Sequence, residues 1–174
     1  MDRCDSAQPD PYEHTLGLLQ GRGVELEEIA MLVLDLQGPY LPYLTLAICL
    51  DSVKKVLEKR EVQYTILTGL ALDVLAERKL IDDPLYTILR TDDTLYGIDE
   101  ILSLSIVNVY GTIGFTNFGY LDKTKPGVIG RINRKNQGVN TFLDDILAAI
   151  AAAAAARLAH SDPRLTGPKD EGSP

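Results

Sequence analysis

The sequence has no tryptophan, only two histidines and two cysteines, and few aromatics at 6%. Two cysteines, Cys4 and Cys49, are too few for a disulfide scaffold; they read as a tail thiol and a buried thiol of a reducing compartment. His14 and His160 have no cysteine or second histidine at zinc spacing, so a zinc site is not expected. A basic excess is also lacking. The net charge of −8 argues against non-specific nucleic-acid binding, because phosphates would be repelled. It argues equally against simple adhesion to an anionic membrane. The most apolar windows, 101–115 and 146–156, fall short of the roughly 18–20 residues that span a bilayer. The N-terminus is polar and acidic, unlike a secretory signal. These features predict a cytoplasmic protein with no membrane-spanning segment. No glycine-rich phosphate loop, nucleophile elbow or dinucleotide fingerprint is present.

What is there is helical periodicity. Over 174 residues, 45% of them apolar, one domain over 1–160 is expected, with a loose arm at 1–10 and a tail at 161–174. Pro11 opens a first helix, stopped by Gly21 and Gly23. A second helix covers 25–37, with its acids in the first turn. Thr45 caps a third that runs to about 60, and a fourth covers 62–75. Gly69 within the fourth suggests a close helix crossing. Short helices follow at 85–89 and 115–120, and the pairs Asp82-Asp83 and Asp92-Asp93 read as caps and solvated turns. The stretch 95–110 is apolar nearly all round, which predicts a helix enclosed by others. The last helix, 142–160, carries an alanine-rich run suited to close packing on several sides. The fold expected is all-α, a single globular domain of about six to eight helices around a central buried Ala-rich helix.

Three groups of acids stand among these apolar stretches, where an unpaired carboxylate is costly. Asp99 and Glu100 head the apolar helix at 95–110. The helix dipole alone could favour them there, but a ligand or catalytic role is the alternative that their surroundings raise. Thr141-Phe142-Leu143-Asp144 resembles a capping box, which would explain Asp144 without chemistry. It leaves Asp145, on another face of an Ala, Ile and Leu helix, as the stronger site candidate. Asp122 and Lys125, three apart, can share one helical face. Between Lys123 and Lys135 stand five basic residues of an otherwise acidic chain: Lys123, Lys125, Arg131, Arg134 and Lys135. Carboxylates that hold a hard cation such as Mg²⁺, beside Lys or Arg that take phosphate charge, are what metal-assisted phosphoryl chemistry needs. Gly138 and Asn140 supply a turn that delivers the last helix to the site.

Three blocks then make a pattern. Gly97-Ile98-Asp99-Glu100 comes first, then Phe118-x-x-x-Asp122-x-x-Lys125-Pro126, then Gly138-x-Asn140-x-Phe142-Leu143-Asp144-Asp145-Ile146. In this order and spacing they resemble the phosphatidylglycerophosphatase A family, and within it the soluble low-temperature-requirement C-like branch of Gram-positive bacteria. The resemblance covers roughly residues 95–160. It implies an all-helical, Mg²⁺-dependent phosphatase that converts phosphatidylglycerophosphate to phosphatidylglycerol. It carries Asp99, Glu100, Asp122, Lys125, Asp144 and Asp145 over to the family's acidic site.

Roles follow from chemistry. Glu100, Asp122 and Asp145 are expected to hold Mg²⁺, with Asp99 and Asp144 as outer ligands or base. Lys125 and Arg131 are expected to bind the phosphate, with Asn140 beside the substrate. Competing readings are a phosphatase for a small soluble ester, a non-catalytic regulatory or lipid-sensing module, and a helical nucleotide pyrophosphatase, for which Glu25-x-x-Glu28 is a match that the helix dipole already explains. Transient membrane contact and a homo-oligomer are both compatible with the apolar helices.

Overall fold

Alanine sets the architecture. The computed structural model describes residues 10–134 and 138–161, and all regular structure among them is helical. In chain order come α1 (Pro11–Gly21), α2 (Leu26–Gln37), α3 (Leu46–Leu57), α4 (Arg60–Glu77), α5 (Leu85–Thr91), α6 (Ile98–Val107), α7 (Gly111–Thr124), α8 (Gly127–Ile132) and α9 (Leu143–Ser161). A 3₁₀ turn, Asn108–Tyr110, joins α6 to α7. Every residue of α9 from Leu143 to Ala156 is buried, and α2, α3, α4, α6, α7 and α8 all pack against it. Alanine is the strongest helix former and the smallest side chain with a Cβ, so neighbouring helices can approach α9 on all sides. On one side, Ser52 of α3 donates from its hydroxyl to the Ala154 carbonyl at 3.0 Å. On another, a Cβ at Gly69 of α4 would stand 2.6 Å from Ile146 Cδ1 and 3.0 Å from Phe142 Cβ. Gly69 therefore marks the close crossing that its position predicts.

Local signals act where the sequence places them. The Asp10 carboxylate accepts from the Tyr12 amide and caps α1 ahead of Pro11. Glu25 and Glu28 form a capping box, and Thr45 Oγ1 accepts from the Ile48 amide at 3.4 Å. Residues 1–9 of the expected arm and 162–174 of the expected tail, with Cys4 and Lys135, lie outside the described residues, while Ser161 ends α9.

The departures have physical reasons. The shortest of the α-helices among the described residues, α8, assembles just after Pro126, in a segment with two glycines for which the sequence reading gave no helix. α7 starts at Gly111, whose φ of 72° is in the left-handed region open to glycine. α6 is not enclosed. Its core stripe is Asp99, Ser103, Ile106 and Val107, whereas Ile98 is 52% and Ile101 65% exposed, and Leu95 just before it is 93% exposed. The helical run Ile98–Thr124 is also longer than the apolar window read from sequence. At 27 residues and a mean hydropathy of 1.3 it is long and apolar enough, by length and composition only, to cross a membrane, with 28% of that window buried.

Candidate active site

Pro126 has no N–H and disfavours helix at the residue before it. α7 therefore ends at Lys125, which takes a left-handed backbone (φ 44°, ψ 53°). There the lysine reaches the start of α9. Its Nζ lies 2.6 Å from Asp122 Oδ1, 3.0 Å from Asp144 Oδ2 and 3.1 Å from Asp145 Oδ1. Asp144 and Asp145 are buried. Asn133, just after α8, donates from Nδ2 to Asp144 Oδ2, and the Asp145 amide donates to Asp144 Oδ1. All of these line one cleft of about 190 Å³, together with Asp99 and Glu100 from α6 and Asp92, Asp93, Thr94 and Gly97 from the loop before it.

The cleft holds far more negative than positive charge, and the acids register it. Burial, followed by the charge of Asp144, pushes the Asp145 carboxyl up to about 8, against the opposing pull of Lys125. Burial also raises Asp99, opposed by backbone amides and reinforced by Glu100 and Asp144. Asp99 Oδ1 is buried without a hydrogen-bond partner. For Lys125, burial pulls its ammonium down, but the charges of Asp144 and Asp145 and hydrogen bonds to Asp122 and Asp144 hold it well above its ordinary value. Among the described residues no three His, Cys, Asp or Glu side chains stand ready-spaced around a metal position, and the lysine Nζ occupies the point where three carboxylates meet.

The start of α9 is held by a residue the sequence reading missed. Thr141 does not cap it; its hydroxyl donates to the Leu89 carbonyl at 2.6 Å. Asp73, from the middle of α4, accepts from the amides of Phe142 at 3.2 Å and Leu143 at 3.1 Å. Burial pushes this carboxyl up to about 8, against the two amides and Arg22, whose Nη2 is 3.9 Å away. Arg22 and Glu77 also grip the loop ahead of α9, through the Val139 carbonyl and amide respectively. Asp144 is thus not a capping-box acid: one of its oxygens serves the neighbouring amide and the other faces Lys125. A readable sign of Asp73 existed. It follows Ile66 and Leu70 on the inward stripe of α4, where an acid needs a buried partner.

Other expectations shift. Of the acidic pair on α6, Asp99 is the buried member and Glu100 is exposed at the rim. Asp92 and Asp93 are exposed turn acids as expected, Asp93 Oδ1 accepting from the Leu95 amide at 2.9 Å, and they also line the cleft. Arg131 does not join it. Its guanidinium donates to Glu28 Oε2 at 2.6 Å and to the Gly23 carbonyl at 2.9 Å, fastening α8 to α2. Asn140 donates to the Ile132 carbonyl and lines a second, larger groove of about 720 Å³.

YpjQ of Bacillus subtilis (strain 168), an uncharacterised protein, is 55% identical over 157 residues, which cover 90% of this chain and 89% of that one. YutG of the same organism, also uncharacterised, is 57% identical over 143 residues, 82% of this chain and 86% of that one. The crystal structure of the low temperature requirement C protein from Listeria monocytogenes superposes with a TM-score of 0.85 at 55% identity, covering 88% of this chain and 98% of that one. Residues 20–160 match the family described as phosphatidylglycerophosphatase A, and it is to the phosphatidylglycerophosphatase A family that this chain belongs.

Proposed function

We propose that the protein is a Mg²⁺-dependent phosphomonoesterase that removes the terminal phosphate of phosphatidylglycerophosphate. The observation that carries this reading is the convergence of Asp99, Asp122, Asp144 and Asp145 on one cleft around a single lysine. Family membership supports the reaction class. The donor set fits a hard divalent cation. It is all carboxylate oxygen, it carries excess negative charge, and the buried Asp99 Oδ1 lacks a partner. Asp99, Asp122 and Asp145 are the residues to hold the ion, with Glu100 at the rim. When bound, Mg²⁺ supplies Lewis acidity and neutralises phosphate charge.

The chain's own groups do the rest. Lys125 turns its ammonium from the carboxylates toward the phosphate oxygens and stabilises the charge that builds on them. Asp144, fixed by Asn133, accepts the proton of the attacking water. As the new P–O bond forms, the ester P–O bond breaks, and that proton passes to the departing alcohol oxygen. A cleft of about 190 Å³ suits a phosphorylated glycerol head group. Ile98 and Ile101, exposed on α6 beside Asp99 and Glu100, give acyl chains an apolar flank outside it, which supports a lipid substrate and transient contact with a lipid surface.

Single variants test the assignment. Asp99→Asn, Asp122→Asn and Asp145→Asn are each expected to lower phosphate release by about 10²-fold or more, the scale of losing one preorganised charge contact. Glu58→Gln, at an exposed surface ion pair with Lys55, should leave it unchanged. Full turnover in the three aspartate variants would place the chemistry elsewhere.

A further inference from the structure

The free amides at a helix start are ordinarily met by a side chain just ahead of the helix. At α9 the two nearest candidates face elsewhere: Thr141 donates to the Leu89 carbonyl and Asn140 to the Ile132 carbonyl. The Phe142 and Leu143 amides go instead to Asp73, one to each oxygen of its carboxylate. Asp73 has no exposed surface and is not a wall of the cleft. Burying an acid is costly, and a local serine or aspartate would satisfy the same amides without it. What the remote cap adds is geometry. Two bonds to the two oxygens of one carboxylate fix the first turn of α9 relative to α4, both along the helix axis and in rotation about it. The next two residues are Asp144 and Asp145, about 100° apart around the helix, and both meet the Lys125 ammonium. A small rotation of this end moves both carboxylates. Neighbours reinforce the hold. Arg22 pairs with Glu77, donates to the Val139 carbonyl at 2.7 Å and stands 3.9 Å from Asp73. Glu77, one turn after Asp73 on α4, accepts from the Val139 amide at 2.9 Å. Gly138, with a φ of 101°, makes room for this, since an added Cβ would collide with the Glu77 carboxylate.

We infer that Asp73 is a positioning residue for the reaction: from α4 it sets the height and rotation of the first turn of α9, and so where Asp144 and Asp145 stand in the cleft, without touching the substrate itself. Arg22 assists by holding the loop that leads into that turn. The inference rests on the phosphomonoesterase reading and deepens it, because it extends the machinery from the cleft to a buried acid on another helix.

Steady-state phosphate release from dihexanoyl phosphatidylglycerophosphate in saturating Mg²⁺ tests it, in the full chain and in Asp73→Asn, Arg22→Met and Val56→Ala. A carboxamide has one acceptor oxygen where the carboxylate has two, so in Asp73→Asn one α9 amide loses its partner. Its kcat should fall by about 10–100-fold, the scale of misplacing a reacting group by roughly 1 Å. KM for the lipid should move by less than about threefold, because Asp73 touches no substrate. Val56→Ala is the control for stability alone. It opens the core one turn beyond Ser52, whose partner is Ala154, far along α9 from Asp144 and Asp145. It should lower the thermal midpoint and keep kcat. Wild-type kcat in folded Asp73→Asn overturns the inference, as does a kcat loss that Val56→Ala shares. Should Asp73→Asn fail to fold, Arg22→Met is read in the same way: it releases the Val139 carbonyl, a smaller loss of kcat at unchanged KM is expected, and full kcat overturns the inference. Absence of release by the wild type defeats the phosphomonoesterase reading itself and the inference with it. Release by the wild type with full kcat in the variants defeats the inference alone.

Discussion

Lys125 and the aspartates around it are in a balance that favours binding over stability. Asp122, Asp144 and Asp145 face one cation, so the site is short of positive charge until a further cation arrives. Asp145→Asn removes one of the repelling charges. In EDTA at neutral or higher pH it should raise the thermal midpoint by about 2–4 °C, equivalent to roughly 1 kcal/mol in a domain of this size, although it costs activity. A lowered midpoint would mean that Asp145 is a structural acid. Asp73 gives a pH prediction. Its carboxyl sits at about 8 in the folded chain, against 3.8 as the ordinary value. Below 3.8 both states are protonated and its contribution to stability is fully present. As pH rises toward about 8, the unfolded chain gives up this proton and the folded chain retains it, so stability falls by roughly 1 kcal/mol per pH unit from this group. Urea unfolding at pH 5, 7 and 9 should show a steeper loss in the wild type than in Asp73→Asn; parallel curves would refute the assignment. At this scale the sequence made Asp99, Asp122, Lys125, Asp144 and Asp145 legible, because each stands in a short block with its neighbours. Asp73 was harder to see, since its partners are backbone amides 69 and 70 residues further on, and amides carry no residue signature.

Elements explain why those side chains meet. α9 is smooth enough to be surrounded, and its buried start brings Asp144 and Asp145 to the end of α7. Its fit leaves no spare volume. Ala152→Leu, at a position with no exposure, should cost about 1–3 kcal/mol by overpacking, measured by urea unfolding. Gly69→Val should be destabilising for the same reason, because its added atoms meet Ile146 and Phe142. If both were neutral, the helices would be packed more loosely around α9 than described. The alanine run announced this role plainly. Periodicity could not tell how α6 would be covered: an all-round apolar helix normally predicts enclosure, yet only one of its stripes meets the core. The cap of α9 was misread for a related reason. Thr141 has the right spacing for a capping box, but its hydroxyl is turned to Leu89 and a residue from α4 takes its place.

On the scale of the whole molecule, charge is segregated. An acidic chain gathers carboxylates in one cleft and exposes apolar side chains along α6. Those two surfaces suit the proposed substrate, with a phosphate to be cleaved and an apolar part. None of it could be read from net charge or composition, because both average over surfaces that only the fold separates. The all-helical class and the family blocks were legible because each rests on local spacing. The account stands or falls on one assay: phosphate release from phosphatidylglycerophosphate by EDTA-stripped protein as Mg²⁺ is titrated back. The account predicts no release without the metal, saturable release with it, and loss of that release in Asp122→Asn. Absence of release from this lipid and from soluble phosphate esters at saturating Mg²⁺, or release that ignores the metal, would contradict it.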